Sequence, residues 1–151
     1  MRFDRIAIFD WSAASRPKRG KDSIWLGLAG PDGVTAENLP TRAEAEARLV
    51  ELVDEALAAG ERLLVGGDLI FGFPKGFAGA LTGKAKALSV WAWLAARLED
   101  GPNNANNYRA VAALANATFP GDGPFWGNAA KAEVPGLPRH KPAMPDGLSE
   151  Y

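Results

Sequence analysis

Residues 41–60, "TRAEAEARLVELVDEALAAG", followed at once by "ERLLVGGDL" at 61–69, limit the folds open to this chain more than any other feature. Thr41 stands where an N-cap is needed, Glu44 completes a capping box, and Gly60 sits where a helix ends in the left-handed conformation. Ala45, Leu49, Leu52, Val53, Ala56 and Leu57 share one face at helical spacing, so the spacing predicts an amphipathic helix. The apolar run behind it is short, as a buried strand is. A strand reached through a helix is expected to lie parallel to one already in the sheet.

A partner for it lies at the start of the chain. "FDRIAIFD", 3–10, is apolar without alternation from Ile6 to Phe9, the pattern of a strand buried on both faces. "DSIWLGLAG", 22–30, then "GPDGV" and "GVTAENL", predict a second and third strand joined by a turn. After the fourth strand, "FGFPKGFAGALTGKA" reads as a Gly- and Pro-punctuated loop, followed by helices at about 85–98 and 107–117. The expectation is one α/β domain over 1–118 with a mixed sheet, strands and helices in the order βββαβα with a further helix, and a Pro/Gly-rich tail, 119–151, packed on it through Phe119, Phe125 and Trp126.

Both predicted parallel strands end at an acid, Asp10 and Asp68. As parallel neighbours they would emerge together at the C-terminal edge of the sheet, where open α/β sheets bind ligands. Two carboxylates that close repel unless a cation lies between them, and Mg²⁺ or Mn²⁺ takes carboxylate oxygens together with waters and phosphates. Four cations, Arg16, Lys18, Arg19 and Lys21, follow the first strand, and with Ser12 they are the candidate substrate-binding residues for a polyanion. The expected chemistry is metal-dependent phosphodiester hydrolysis with Asp10 and Asp68 as metal-binding and catalytic residues, acting on a nucleic acid or another phosphate-bearing substrate.

Plainer roles exist for the same residues. Either acid can hold an Asx turn, although the apolar loop after Asp68 would make an unpaired carboxylate costly there. The basic run can be a solvated hairpin tip, and Trp11 and Trp25 read as core or rim packing rather than base-stacking platforms, with Trp11, next to Asp10, the one open to facing the cleft. Trp91 and Trp93 cannot share a helix face, and "NNANNY" reads as capping and turn chemistry.

Composition removes several classes. The chain has no cysteine, hence no disulfide, zinc thiolate site or Cys nucleophile, and its one histidine, His140, makes a His-based metal cluster or serine triad improbable. A net charge of -1, from 17 basic and 18 acidic residues, argues against a general nucleic-acid coat but leaves room for one basic rim. Charges on both sides of the first apolar run exclude a signal peptide or membrane span there, so a cytoplasmic protein without membrane contact is expected; a homo-oligomer is left open.

"DWSAAS" together with "GGDLIFGFPKGFA" resembles the bacterial family of predicted RNase H-like nucleases of the DUF429 type, whose second motif runs roughly D-x-P-x-G-x-P. Asp68, Gly72 and Pro74 match that motif, and Ile70 stands where it has Pro. The likeness covers roughly residues 3–80 and implies a ribonuclease H-like fold, a nuclease activity, and a chain that is the amino-terminal part of a longer protein. It also implies further acidic ligands, with Glu44, Glu46, Glu51 and Glu55 on the helix, Asp22 on the second strand, and Asp122, Asp146 and Glu150 in the tail all open as choices. Three other readings use the same framework: an ATP-binding actin-like phosphotransfer module, a non-catalytic binding or scaffold domain, and a molybdopterin-guanine dinucleotide accessory protein, the last a label that some similar chains carry.

Overall fold

The computed structural model describes residues 3–70, 72–127 and 133–142. They gather into two compact units: one runs to Leu69 and takes in Asp100–Ala105, and the other comprises Ile70–Glu99 and the chain from Asn106 onward.

The first unit is a four-stranded mixed sheet with a helix. It contains β1 (Arg5–Asp10), β2 (Ile24–Gly30), β3 (Gly33–Leu39), α1 (Arg42–Ala59) and β4 (Leu63–Gly67), and the strands lie in the order β3-β2-β1-β4. β1 pairs antiparallel with β2 and parallel with β4, as a crossover through α1 requires. The α/β class and the mixed sheet expected from the sequence are therefore present.

Alternation along β1 divides the sheet into two faces. Ala7 and Phe9 are buried with Ile24 and Leu26 of β2 and with Ala45 and Leu52 of α1, and Trp11, Leu28, Leu39, Leu49 and Leu63 pack around them. Ile6, Ile8 and Asp10 point the other way and are exposed. β1 is thus buried on one face, not on both.

α1 begins and ends as its caps dictate: the Thr41 hydroxyl oxygen accepts from the Glu44 N–H at 3.1 Å, and Gly60 closes the helix at φ 66°. The buried stripe is narrower than the apolar face in the sequence, because a helix meets a sheet along one line of side chains. Ala45, Leu49, Leu52 and Ala56 form that line, Val53 and Leu57 flank it in solvent, and Arg42 continues it towards the N-terminus as a buried cation.

The second unit holds α2 (Phe77–Thr82), α3 (Ala87–Ala95) and α4 (Tyr108–Asn116) around Phe77, Leu81, Val90, Ala115 and Phe119. α2 lies where the sequence suggested only a loop. Gly76 and Gly83, both at positive φ, frame this helix at its two ends instead of breaking it, and Phe77 and Leu81, one turn apart, anchor it. Phe73 stacks on Phe77 at 4.6 Å between ring centroids, and Phe119 and Phe125 of the Pro- and Gly-rich segment pack on the same ring at 5.2 and 5.8 Å. Of the two tryptophans of α3, Trp93 packs on this core beneath Arg97, while Trp91 is exposed and tilts against Phe73. Among the described residues no helix is long and apolar enough to cross a membrane.

Candidate functional site

Asp10 ends β1, and Asp68 follows directly on the last residue of β4, the parallel neighbour of β1. The last Cα pair between the parallel strands is Phe9 with Gly67, and one step further the Asp68 N–H donates to the Phe9 carbonyl at 3.0 Å. Both acids are exposed, and neither side chain makes a hydrogen bond or ion pair among the described residues. The Asx-turn alternative therefore has no hydrogen bond behind it at either position. Exposure also removes the burial cost expected at Asp68. What remains is two carboxylates at one sheet edge with no protein cation set against them.

The basic loop after β1 is solvent-exposed over residues 15–22, as a hairpin tip would be, but hydrogen bonds tie its backbone. The Arg42 guanidinium donates to the carbonyls of Ser12 and Ala14, to the Asn104 carbonyl, and as a two-pronged fork to the Asp100 carboxylate. Asn104, buried and at φ 68°, donates to the carbonyls of Arg16 and Pro40 and accepts from the Arg42 N–H. Asn38 of β3 accepts from the Gly20 N–H and donates to Ser23 and to the Ile24 carbonyl. Three side chains from outside the loop thus hold its path.

This scaffold sorts the candidate substrate-binding residues. The Ser12 hydroxyl donates to the Asp22 carbonyl and accepts from the Ala14 N–H, so it serves the turn. Arg19 donates to the Asn38 carbonyl, and Lys18 sits 3.4 Å from Asp22 in an exposed pair of small energetic weight. Arg16 and Lys21 are exposed with no side-chain partner among the described residues. They are the two cations fully available to a ligand.

Of the further acids described in the first unit, none joins Asp10 and Asp68 as a third ligand. α1 packs on the Ala7 and Phe9 face, opposite to the face of Asp10, and on it Glu44 bonds Thr41, Glu51 pairs with Arg48, and Glu55 pairs with Arg48 and Arg5, while Glu46 is exposed. Asp22 is taken up by Lys18, and Asp122 belongs to the second unit, where it lines a cavity of about 640 Å³. Asp146 and Glu150 lie outside the described residues. Among the described residues, no group of three or more His, Cys, Asp or Glu side chains is placed to hold a metal ion.

Of the two tryptophans near the site, Trp11 takes the core-packing role expected of it. Trp11 is one residue beyond Asp10, so alternation turns it to the buried face, where it meets Phe9 edge-on at 6.4 Å. Trp25 is the β2 partner of Asp10 in the ladder, so both side chains stand on the open face. Arg42 had no role read from the sequence, whereas Asn104 belongs to the "NNANNY" run read as capping and turn chemistry, which its bond to the first N–H of α1 fits. The one signal for Arg42 was its position three residues before Ala45, on the helical stripe that becomes buried.

The ion pair under the loop carries a pH dependence. The Arg42 fork, through its hydrogen bonds first and its charge second, holds the Asp100 carboxyl below its ordinary range despite some opposing desolvation. The folded state then binds this proton less readily than the unfolded chain, so the stabilisation is present above the unfolded value, about 3.9, and is lost as pH falls through the lower folded one. In thermal melts from pH 7 to pH 2, the gap between wild type and Asp100→Asn should be widest near neutrality and narrow as pH falls below about 3.9. A gap that persists unchanged at pH 2 would show that Asp100 acts through something other than its charge.

No protein-family model, curated protein or solved structure matches this chain.

Proposed function

We propose that the first unit is a divalent-metal-dependent phosphodiester hydrolase of ribonuclease H-like type, acting on a nucleic acid. The observation that carries this reading is the placement of Asp10 and Asp68, exposed and unpartnered, at the C-terminal ends of adjacent parallel strands. The β3-β2-β1-β4 order, with β4 parallel to β1 after a helix, supports the ribonuclease H-like part of it.

The donor set fits Mg²⁺ or Mn²⁺, which are held by one or two carboxylates and complete their coordination with waters and substrate phosphate oxygens. When bound, such an ion supplies Lewis-acid stabilisation of phosphoryl charge and a water of lowered pKa. The chain's own part is to hold the two carboxylates at fixed positions on the ladder and to present Arg16 and Lys21 to the phosphates. Steering by those two cations weakens as salt rises, since each phosphate contact releases counterions.

Thermal melting against Mn²⁺ concentration tests the reading. A ligand of the folded state raises the midpoint by mass action, by about 2.7 kcal/mol of stability at a hundred times the dissociation constant. The rise should appear in the wild type and vanish in both Asp10→Asn and Asp68→Asn. A wild type indifferent to Mn²⁺ and Mg²⁺ would overturn the metal site and favour a scaffold domain.

A further inference from the structure

The open face of the sheet carries an aromatic ring beside the acids. Trp25 and Asp10 are directly paired residues of antiparallel strands, so their side chains project together from that face. Trp25 is 37 % exposed, although the residues on either side of it in β2, Ile24 and Leu26, are buried. Its indole N–H donates to the Gly20 carbonyl at 3.1 Å, and the Gly20 N–H donates to Asn38, the β3 partner of Trp25. One ring edge is therefore fixed to the loop that bears Arg19 and Lys21, while part of the ring surface is open to solvent.

A tryptophan whose polar atom is satisfied and whose ring is still exposed has nothing of its own left to bind except through that surface. Around it stand charges of the two kinds that a nucleotide phosphate needs: free cations on the loop, and a carboxylate pair suited to a divalent ion. We infer that Trp25 is a stacking platform for one unpaired base, and that the substrate enters as a single strand. Stacked bases inside a duplex present their faces only to each other, so a fixed ring rising from a sheet has access to a base in a single strand or at a frayed end. The inference rests on the metal reading in one respect: without a cation, Asp10 and Asp68 would repel the phosphate attached to the stacked base.

The test is fluorescence anisotropy with two labelled single-stranded phosphorothioate oligomers in Mn²⁺, one bearing bases and one abasic along its length. Wild type should bind the base-bearing strand about 5- to 140-fold more tightly than the abasic one, the range that one base–aromatic stack supplies. Trp25→Ala should bind both strands alike, and Trp25→Phe, which keeps a ring, should retain most of the preference. A cooperative melt identifies a folded Trp25→Ala, and Trp25→Leu, which keeps apolar bulk without an aromatic face and should also lose the preference, carries the test should that variant not fold. Equal binding of the two strands by wild type, or an undiminished preference in Trp25→Ala, overturns the stacking role. The Mn²⁺ melting series is read separately: a midpoint that still rises while the base preference is absent leaves the metal site standing and removes only Trp25, and a base preference without any rise does the reverse.

Discussion

Arg42→Ala is expected to cost about 2–4 kcal/mol of stability, a large share of what a small domain has. The side chain is 9 % exposed and is the common donor to three backbone carbonyls, at Ser12, Ala14 and Asn104, and to the Asp100 carboxylate. Truncation leaves those carbonyls without their donor. Asp100 can rehydrate, because its side chain is 43 % exposed, and for that reason the estimate falls short of the full cost of breaking a buried ion pair. Arg42→Lys keeps the charge but has no planar fork to reach both Asp100 oxygens, so it should recover less than half of the loss. Urea unfolding measures both variants, with the midpoint falling and the slope unchanged. A lysine variant as stable as wild type would mean that charge alone matters at this position. Hydrogen exchange supplies the functional corollary: the Lys18 and Gly20 amides, bonded to Pro40 and Asn38, should lose protection as the loop loosens beside Asp10.

That loop marks where local reading of the sequence stops. The crossover from β3 through α1 to β4, beside β1, was legible because a capped helix followed by a short apolar run leaves few alternatives, and it carried Asp10 and Asp68 to one edge. The anchoring of the loop was not legible, since Asn104 reaches Arg16 across 88 positions and Arg42 across 62, and no local pattern encodes such hydrogen bonds. Trp11 was legible, since period-two alternation from the buried Phe9 already assigns it to the core packing expected of it. The place of Trp25 beside Asp10 depends instead on the register of β1 with β2, which a long connection sets. α2 was missed because glycine was taken as a breaker, whereas Gly76 and Gly83 sit at the two ends of the helix in the conformation that glycine favours.

In the second unit the largest effect should come from Gly123→Ala. Gly123 has φ +75°, and a Cβ built on it would fall 2.5 Å from Cγ and Oδ1 of Asn116, a separation that real contacts do not reach. Asn116 cannot yield cheaply. It is 4 % exposed, its amide donates to the carbonyls of Phe125 and Gly136 at 2.8 and 2.9 Å, and its oxygen accepts from the Phe125 N–H at 2.9 Å. The methyl group must therefore either displace Asn116 from three hydrogen bonds or move the chain that carries Phe125, and a cost of about 3 kcal/mol or more is expected. Gly121→Ala separates strain from crowding, because Gly121 has φ +66° but nothing within 4 Å of its added Cβ; about 1 kcal/mol is expected there. A double-mutant cycle then decides the mechanism. If the damage at Gly123 runs through Asn116, then Asn116→Ala and Gly123→Ala break the same bonds, and the double variant should cost clearly less than the sum of the two. Additive losses would instead place the effect in the Gly123 backbone or in the clash with the Asn116 Cβ, 2.6 Å from the built Cβ, which Asn116→Ala retains.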